Sequence, residues 1–165
     1  MLLSLLPLAV ALVAVGLAIS WMLSRGMTLG VWILAGFLVA HGLVHLMFVS
    51  PAPASASAPG ATEWPFDMAK SWLVTGPGLD VNLVRAVGLA LIAAIVVTFA
   101  LAGMATAGIV VPSGSWRTLV AISAVASIEL LALFFNPQLV LGLGIDAVLL
   151  AVVLASAWTP ATAVS

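Results

Sequence analysis

The chain has 165 residues, 65% of them hydrophobic and only 5% charged, with a mean hydropathy of +1.38. Soluble domains carry about 25% charged residues, so four basic and five acidic side chains cannot cover a soluble surface of this size, whereas lipid as solvent removes the need. A net charge of −1 built from few groups gives no basis for a nucleic-acid partner, and the lack of Cys excludes disulfides, thiolate metal sites and cysteine nucleophiles.

A spanning helix needs about 20 mostly apolar residues, and five runs meet that length. The first is Leu2 to Leu23, followed by the polar break Ser24-Arg25-Gly26. It lacks a positive leading region and a small-residue cleavage site, so it reads as a span and not a signal peptide. The second is Thr28 to Val49, ended by Ser50-Pro51. The third is Val81 to Thr106, separated by Val111-Pro112-Ser113-Gly114 from the fourth, Trp116 to Phe135. Asn136-Pro137-Gln138 is a turn, because Pro cannot continue a helix. The fifth is Leu139 to Trp158, closed by Thr159-Pro160. The expected fold class is all-α: one membrane domain of five spans.

The long connection, residues 50–80, has two halves. Pro51 to Ala61 is rich in Pro, Ala, Ser and Gly and reads as flexible linker. In Glu63 to Leu73, Trp64, Met68 and Trp72 follow at four-residue spacing, which predicts a short helix lying in the membrane interface. Trp21, Trp32, Trp116 and Trp158 lie near span ends and read as interface anchors.

Small residues mark expected helix contacts. Ala86, Ala90, Ala94, Thr98, Ala102 and Thr106 form a four-residue repeat in the third span. Ser123 and Ser127 in the fourth span, and Gly36 and Ala40 in the second, read the same way. The partner helix can belong to this chain, to another copy or to another membrane protein. Arg25 and Arg117 fall in the short loops of one side, which predicts a cell-membrane protein with its N-terminus outside and its C-terminus in the cytoplasm.

Ionisable residues inside spans are expensive. Here they are His41 and His45, Arg85, Glu129 and Asp146. At 1.5 Å of rise per residue, they fall about 6 to 12 Å from the long-loop face. All five thus occupy one half of the bilayer, with Asn136 and Gln138 just above them. Two carboxylates and one Arg leave one negative charge, which a protonated His or a metal ion would offset. His41 and His45 are four apart, on one helical face. With Glu129 or Asp146 they offer ligands for a divalent metal ion. Three readings stay open: a structural hydrogen-bond network, a ligand or proton site built on His41, His45, Arg85, Glu129, Asp146 and Asn136, and a metal site.

The run Phe37-Leu38-Val39-Ala40-His41-Gly42-Leu43-Val44-His45-Leu46 resembles the small bacterial DoxX-like membrane proteins, which have a four-helix core and a similar patch in an early helix. Pro65-Phe66-Asp67 to Ser71-Trp72-Leu73, and Gly142-Leu143-Gly144-Ile145-Asp146 with Leu149-Leu150, look like parts of the same group. The resemblance covers about half of the chain, and the fifth span and long loop depart from the family pattern. It implies architecture and membrane location, and a role as accessory subunit of a membrane oxidoreductase. Whether the chain is an enzyme stays open at this point.

Overall fold

The computed structural model describes residues 28–57 and 63–155, with Gly16, Leu17, Trp21, Gly60 and Pro160. The described residues are mostly helical, with no strand among them. The helices are α1 (Thr28–Val44), α2 (Trp72–Thr75), α3 (Val81–Ala107), α4 (Trp116–Leu133) and α5 (Val140–Ala155). Short 3-10 turns extend or join them. Among the described residues, four helical stretches are long and apolar enough to cross a membrane: Thr28–Phe48, Val81–Ala107, Ser113–Leu133 and Pro137–Ala155. The expected first span, residues 2–23, and Arg25 lie outside the described residues apart from isolated positions, as does Trp158.

Local chemistry sets most helix ends. Asp80 caps α3 by accepting from the amides of Asn82 and Leu83, both at 2.9 Å. Gly108 ends it at a φ of 68°, a left-handed conformation that glycine adopts without steric cost. Asn136 accepts from the Gln138 amide, and Pro137 opens the 3-10 turn that leads into α5. The second span departs from its expected form: α1 ends at Val44, and His45–Phe48 tightens into a 3-10 turn.

α1 packs against α3, α3 against α4, and α4 against α5. Leu38, Ile95, Phe99, Val120 and Leu130 are fully buried between them. Two glycines bring α1 and α3 to backbone distance. A Cβ on Gly42 would lie 2.7 Å from that of Phe99, and one on Gly103 would lie 2.8 Å from the Ala35 carbonyl oxygen. The small-residue repeat of α3 is only half in this seam. Ala102 and Thr106 are buried, while Ala86, Ala90 and Ala94 are exposed. The buried stripe instead runs through Val84, Gly88, Ile92, Ile95, Phe99 and Gly103. A four-residue repeat drifts around a helix of 3.6 residues per turn, so a ridge of this length cannot stay on one contact.

The predicted interfacial helix over Glu63 to Leu73 does not form. The segment is a turn at Pro65-Phe66, a 3-10 turn at Met68–Lys70 and the single turn α2. Asp67 accepts from the Ala69 amide and Ser71 from the Leu73 amide. Such side chains offer the backbone partners that compete with a continuous helix. Trp64, Met68 and Trp72 therefore share no helical face. Met68 is buried, and Trp72 is 53% exposed with its indole N–H donating to the Ala132 carbonyl at 2.9 Å. Ser71, fully buried, donates to the Leu133 carbonyl at 2.6 Å. The segment thus lies across the end of the bundle where α4 finishes. There Phe48 meets the rings of Phe66 and Phe134 at 5.2 and 5.8 Å. In the other half of the connection, Ala54–Ser57 forms a 3-10 turn where flexible linker was expected. Trp116, expected at the interface, is buried at 3% exposure, whereas Trp32 is exposed.

Candidate functional site

The register of the helices decides which polar groups meet. Ser127 lies six positions before the end of α4 and Asp146 six positions after the start of α5. Both are therefore about 9 Å inside the bundle from its long-loop end. His41 enters from α1 at the same level, because Gly42 beside it packs on Phe99 of α3.

Asp146 is completely buried, and each of its oxygens has a partner. Oδ1 lies 2.8 Å from His41 Nε2, and Oδ2 lies 2.5 Å from Ser127 Oγ. The same Ser127 Oγ lies 2.8 Å from His45 Nε2. His45 Nδ1–H donates to the His41 carbonyl at 3.0 Å, one helical turn back. That bond fixes a proton on Nδ1, because a carbonyl can only accept. The four residues form one continuous chain of hydrogen bonds from α1 to α5, α4 and the 3-10 turn at His45, which closes on α1 through the His41 carbonyl. Aromatic rings enclose it. Phe37 stacks on the His41 imidazole at 5.8 Å, Phe99 meets it edge-on at 5.0 Å, and His45 meets it edge-on at 5.5 Å.

Of the residues singled out in the sequence, the fold brings together His41, His45 and Asp146. Glu129 does not join them: it is exposed on the outer face of α4. It follows Ser127 by two positions, which is about 200° around a helix of 3.6 residues per turn. Since Ser127 points inward, Glu129 points outward, beside the exposed Ile122 and Val125. Arg85 is exposed one turn into α3, without an ion pair among the described residues. Asn136 serves the backbone turn ahead of α5 and not the network. Among the described residues no group of three or more His, Asp and Glu is arranged to hold a metal ion. Three of the four ring nitrogens that could ligate one are turned to Asp146, Ser127 and the His41 carbonyl.

Ser127 is the network residue that sequence reasoning placed only in helix packing. Its signal was available, since Ser123 and Ser127 share the inward face of α4. Ser123 bonds outside the network, donating to Thr98 Oγ1 at 2.7 Å.

At the mouth of the bundle, Lys70 pairs with Glu63, and the Glu63 carboxylate holds the Lys70 ammonium above the usual lysine range. Gln138 Nε2–H donates to the Glu63 carbonyl at 3.1 Å, which ties this pair to the start of α5. Compared with family models, curated proteins and solved structures, the chain matches none.

Proposed function

We propose that this chain is a multi-pass integral membrane protein whose buried network of His41, Asp146, Ser127 and His45 binds and releases a proton. One observation carries the reading: Asp146, with no exposure, is held 2.8 Å from one imidazole and reaches a second through a single hydroxyl. Imidazole is the side chain whose ordinary titration lies nearest neutral pH. An ionisable group inside a span is costly and is retained where it pairs or works. The network's atoms already face one another, so a proton is the ligand that adds without moving them. Placement in the cell membrane with the N-terminus outside, kinship with the DoxX-like proteins and assembly with a membrane partner belong to the same proposal. The four apolar helical stretches support its architectural part.

A structural reading has its own support. His41 and His45 tie α1 to α5 and α4, while the packing of α1 is mainly against α3. The network would then be a clasp that fixes helix register. Proton uptake separates the two. The full chain in lipid nanodiscs is titrated beside Asp146→Asn, with circular dichroism and melting to establish that both are folded. The proton reading expects wild type to take up one more proton than the variant. Equal uptake by two folded proteins overturns it and leaves the clasp.

A further inference from the structure

The network's hydrogen bonds can be counted against its hydrogens. It has four contacts: His41 Nε2 with Asp146 Oδ1, Asp146 Oδ2 with Ser127 Oγ, Ser127 Oγ with His45 Nε2, and His45 Nδ1 with the His41 carbonyl. Each needs one hydrogen. A neutral His41, a neutral His45 and the Ser127 hydroxyl bring three. If Asp146 is ionised and both rings are neutral, one contact has lone pairs on both sides. It would be either the 2.5 Å contact to Asp146 or the 2.8 Å contact to His45. Unmet acceptors at such distances inside a protein are repulsive and lack the water that would relieve them. A fourth hydrogen completes every bond. It also brings the net charge of the four residues to zero, the state that an apolar interior favours.

We infer that the network carries one shared proton, which passes between Asp146 and His45 through the hydroxyl of Ser127. The inference rests on the proton-site reading above. In the first arrangement Asp146 is a carboxylic acid. Its Oδ2–H donates to Ser127 Oγ, and the Ser127 O–H donates to His45 Nε2. In the second, Asp146 is a carboxylate that accepts the Ser127 O–H, and His45 is an imidazolium whose Nε2–H donates to Ser127 Oγ. Conversion breaks the O–H bond at Asp146 and forms one at Ser127. It also breaks the original Ser127 O–H and forms an N–H at His45 Nε2. Two protons move, no atom is oxidised or reduced, and the summed charge stays zero. His45 Nδ1–H and His41 Nε2–H keep their bonds in both arrangements.

Among the described residues, the surroundings supply no competing proton holder. α1 faces the site with His41 and the 3-10 turn that follows it with His45, α4 with Ser127 and α5 with Asp146. α3 contributes the Phe99 ring, and Glu129 and Arg85 are exposed elsewhere. Ser127 is thus a relay: the carboxyl and the second imidazole have no direct bond and communicate through its oxygen.

The test uses the full chain in lipid, labelled with 15N at histidine. Infrared spectra report the Asp146 carboxylic acid band, assigned by its loss in Asp146→Asn. Nitrogen NMR reports protonation of His45 Nε2. As temperature is varied at one pH, wild type is expected to lose acid band and gain Nε2–H in equal measure, or the reverse. Ser127→Thr, which keeps the hydroxyl, should preserve this reciprocity, and Ser127→Ala should abolish it. Reciprocity that persists in Ser127→Ala overturns the relay. So does a wild type with Asp146 ionised and both rings neutral, a result that needs no variant to fold. If the titration of Asp146→Asn still shows the missing proton while Ser127→Ala behaves as wild type, the relay alone fails. If no proton is missing, the proton site itself has failed.

Discussion

Asp146 and Glu129 are two carboxyl groups on neighbouring helices at nearly the same level of the bundle, and the fold treats them in opposite ways. Asp146 is fully buried, with His41 on one oxygen and Ser127 on the other. Glu129, two residues beyond Ser127 on α4, is exposed on the outer face. Depth is therefore not what recruits a charged group into the network. Helical phase is: the side chain must fall on the stripe that faces the neighbouring helices. A buried carboxyl that loses its partners leaves costs behind, whereas an outward one has few to lose.

The sharpest way to break this contrast is to remove each group. Asp146→Ala strands His41 and Ser127 inside the bundle and should lower stability by about 3 kcal/mol. Unfolding in detergent, followed by circular dichroism, measures it. A loss below about 1 kcal/mol would mean that water or a rearranged partner replaces the carboxyl.

A second test leaves every network residue in place and moves the helix that carries the imidazoles. Gly42→Ala puts a methyl group 2.7 Å from the Phe99 Cβ, which cannot swing away, so α1 must shift from α3. The expected cost is about 2 kcal/mol, typical of overpacking. The same variant should weaken the His41–Asp146 bond, visible as a change in the His41 Nε2 signal.

Glu129→Gln sharpens the contrast from the other side. An outward residue without a partner in the network should change stability by less than about 0.5 kcal/mol and leave the His41 and His45 signals unchanged. A larger loss would reveal a partner on that outer face, such as a second copy or another membrane protein.

The smallest effect is expected at the bundle mouth, where Lys70 pairs with Glu63 on the exposed surface. The pairing raises the Lys70 titration above its unfolded value. Its contribution is therefore fully present below the ordinary lysine range and is lost as pH rises through the raised value. Lys70→Met should therefore lower stability slightly near neutral pH, leave it unchanged at strongly alkaline pH and so remove the alkaline dependence, and added salt should blunt it in wild type. Melting curves across the alkaline range measure both.

Much of this architecture is legible in the sequence because helix ends are local events. Asp80, Gly108 and Asn136-Pro137 each act on residues within one turn, so α3 and α4 begin and end, and α5 begins, close to the expected positions. The site is half legible. Counting rise along each span brings His41, His45 and Asp146 to one level, but it treats a helix as a line. Applied to α4, the angular count from Ser127 to Glu129 would have turned the latter outward. The loop over residues 63–75 is not legible in that way. Its form depends on Met68 reaching Gly88, and on Ser71 and Trp72 reaching carbonyls at the end of α4. Spacing alone cannot show such distant partners, and it favoured a helix with one apolar face.

The account rests on Asp146 being the carboxyl that gains and loses the proton. Isotope-edited infrared spectroscopy tests this directly, with 13C placed in the aspartate side chains in one sample and in the glutamate side chains in another. Acid-minus-alkaline difference spectra of the full chain in lipid should show a protonated carboxyl band. That band should shift with aspartate labelling, vanish in Asp146→Asn and survive in Glu129→Gln. A band that shifts only with glutamate labelling and vanishes in Glu129→Gln would contradict the account and move the proton site to the outer face of α4.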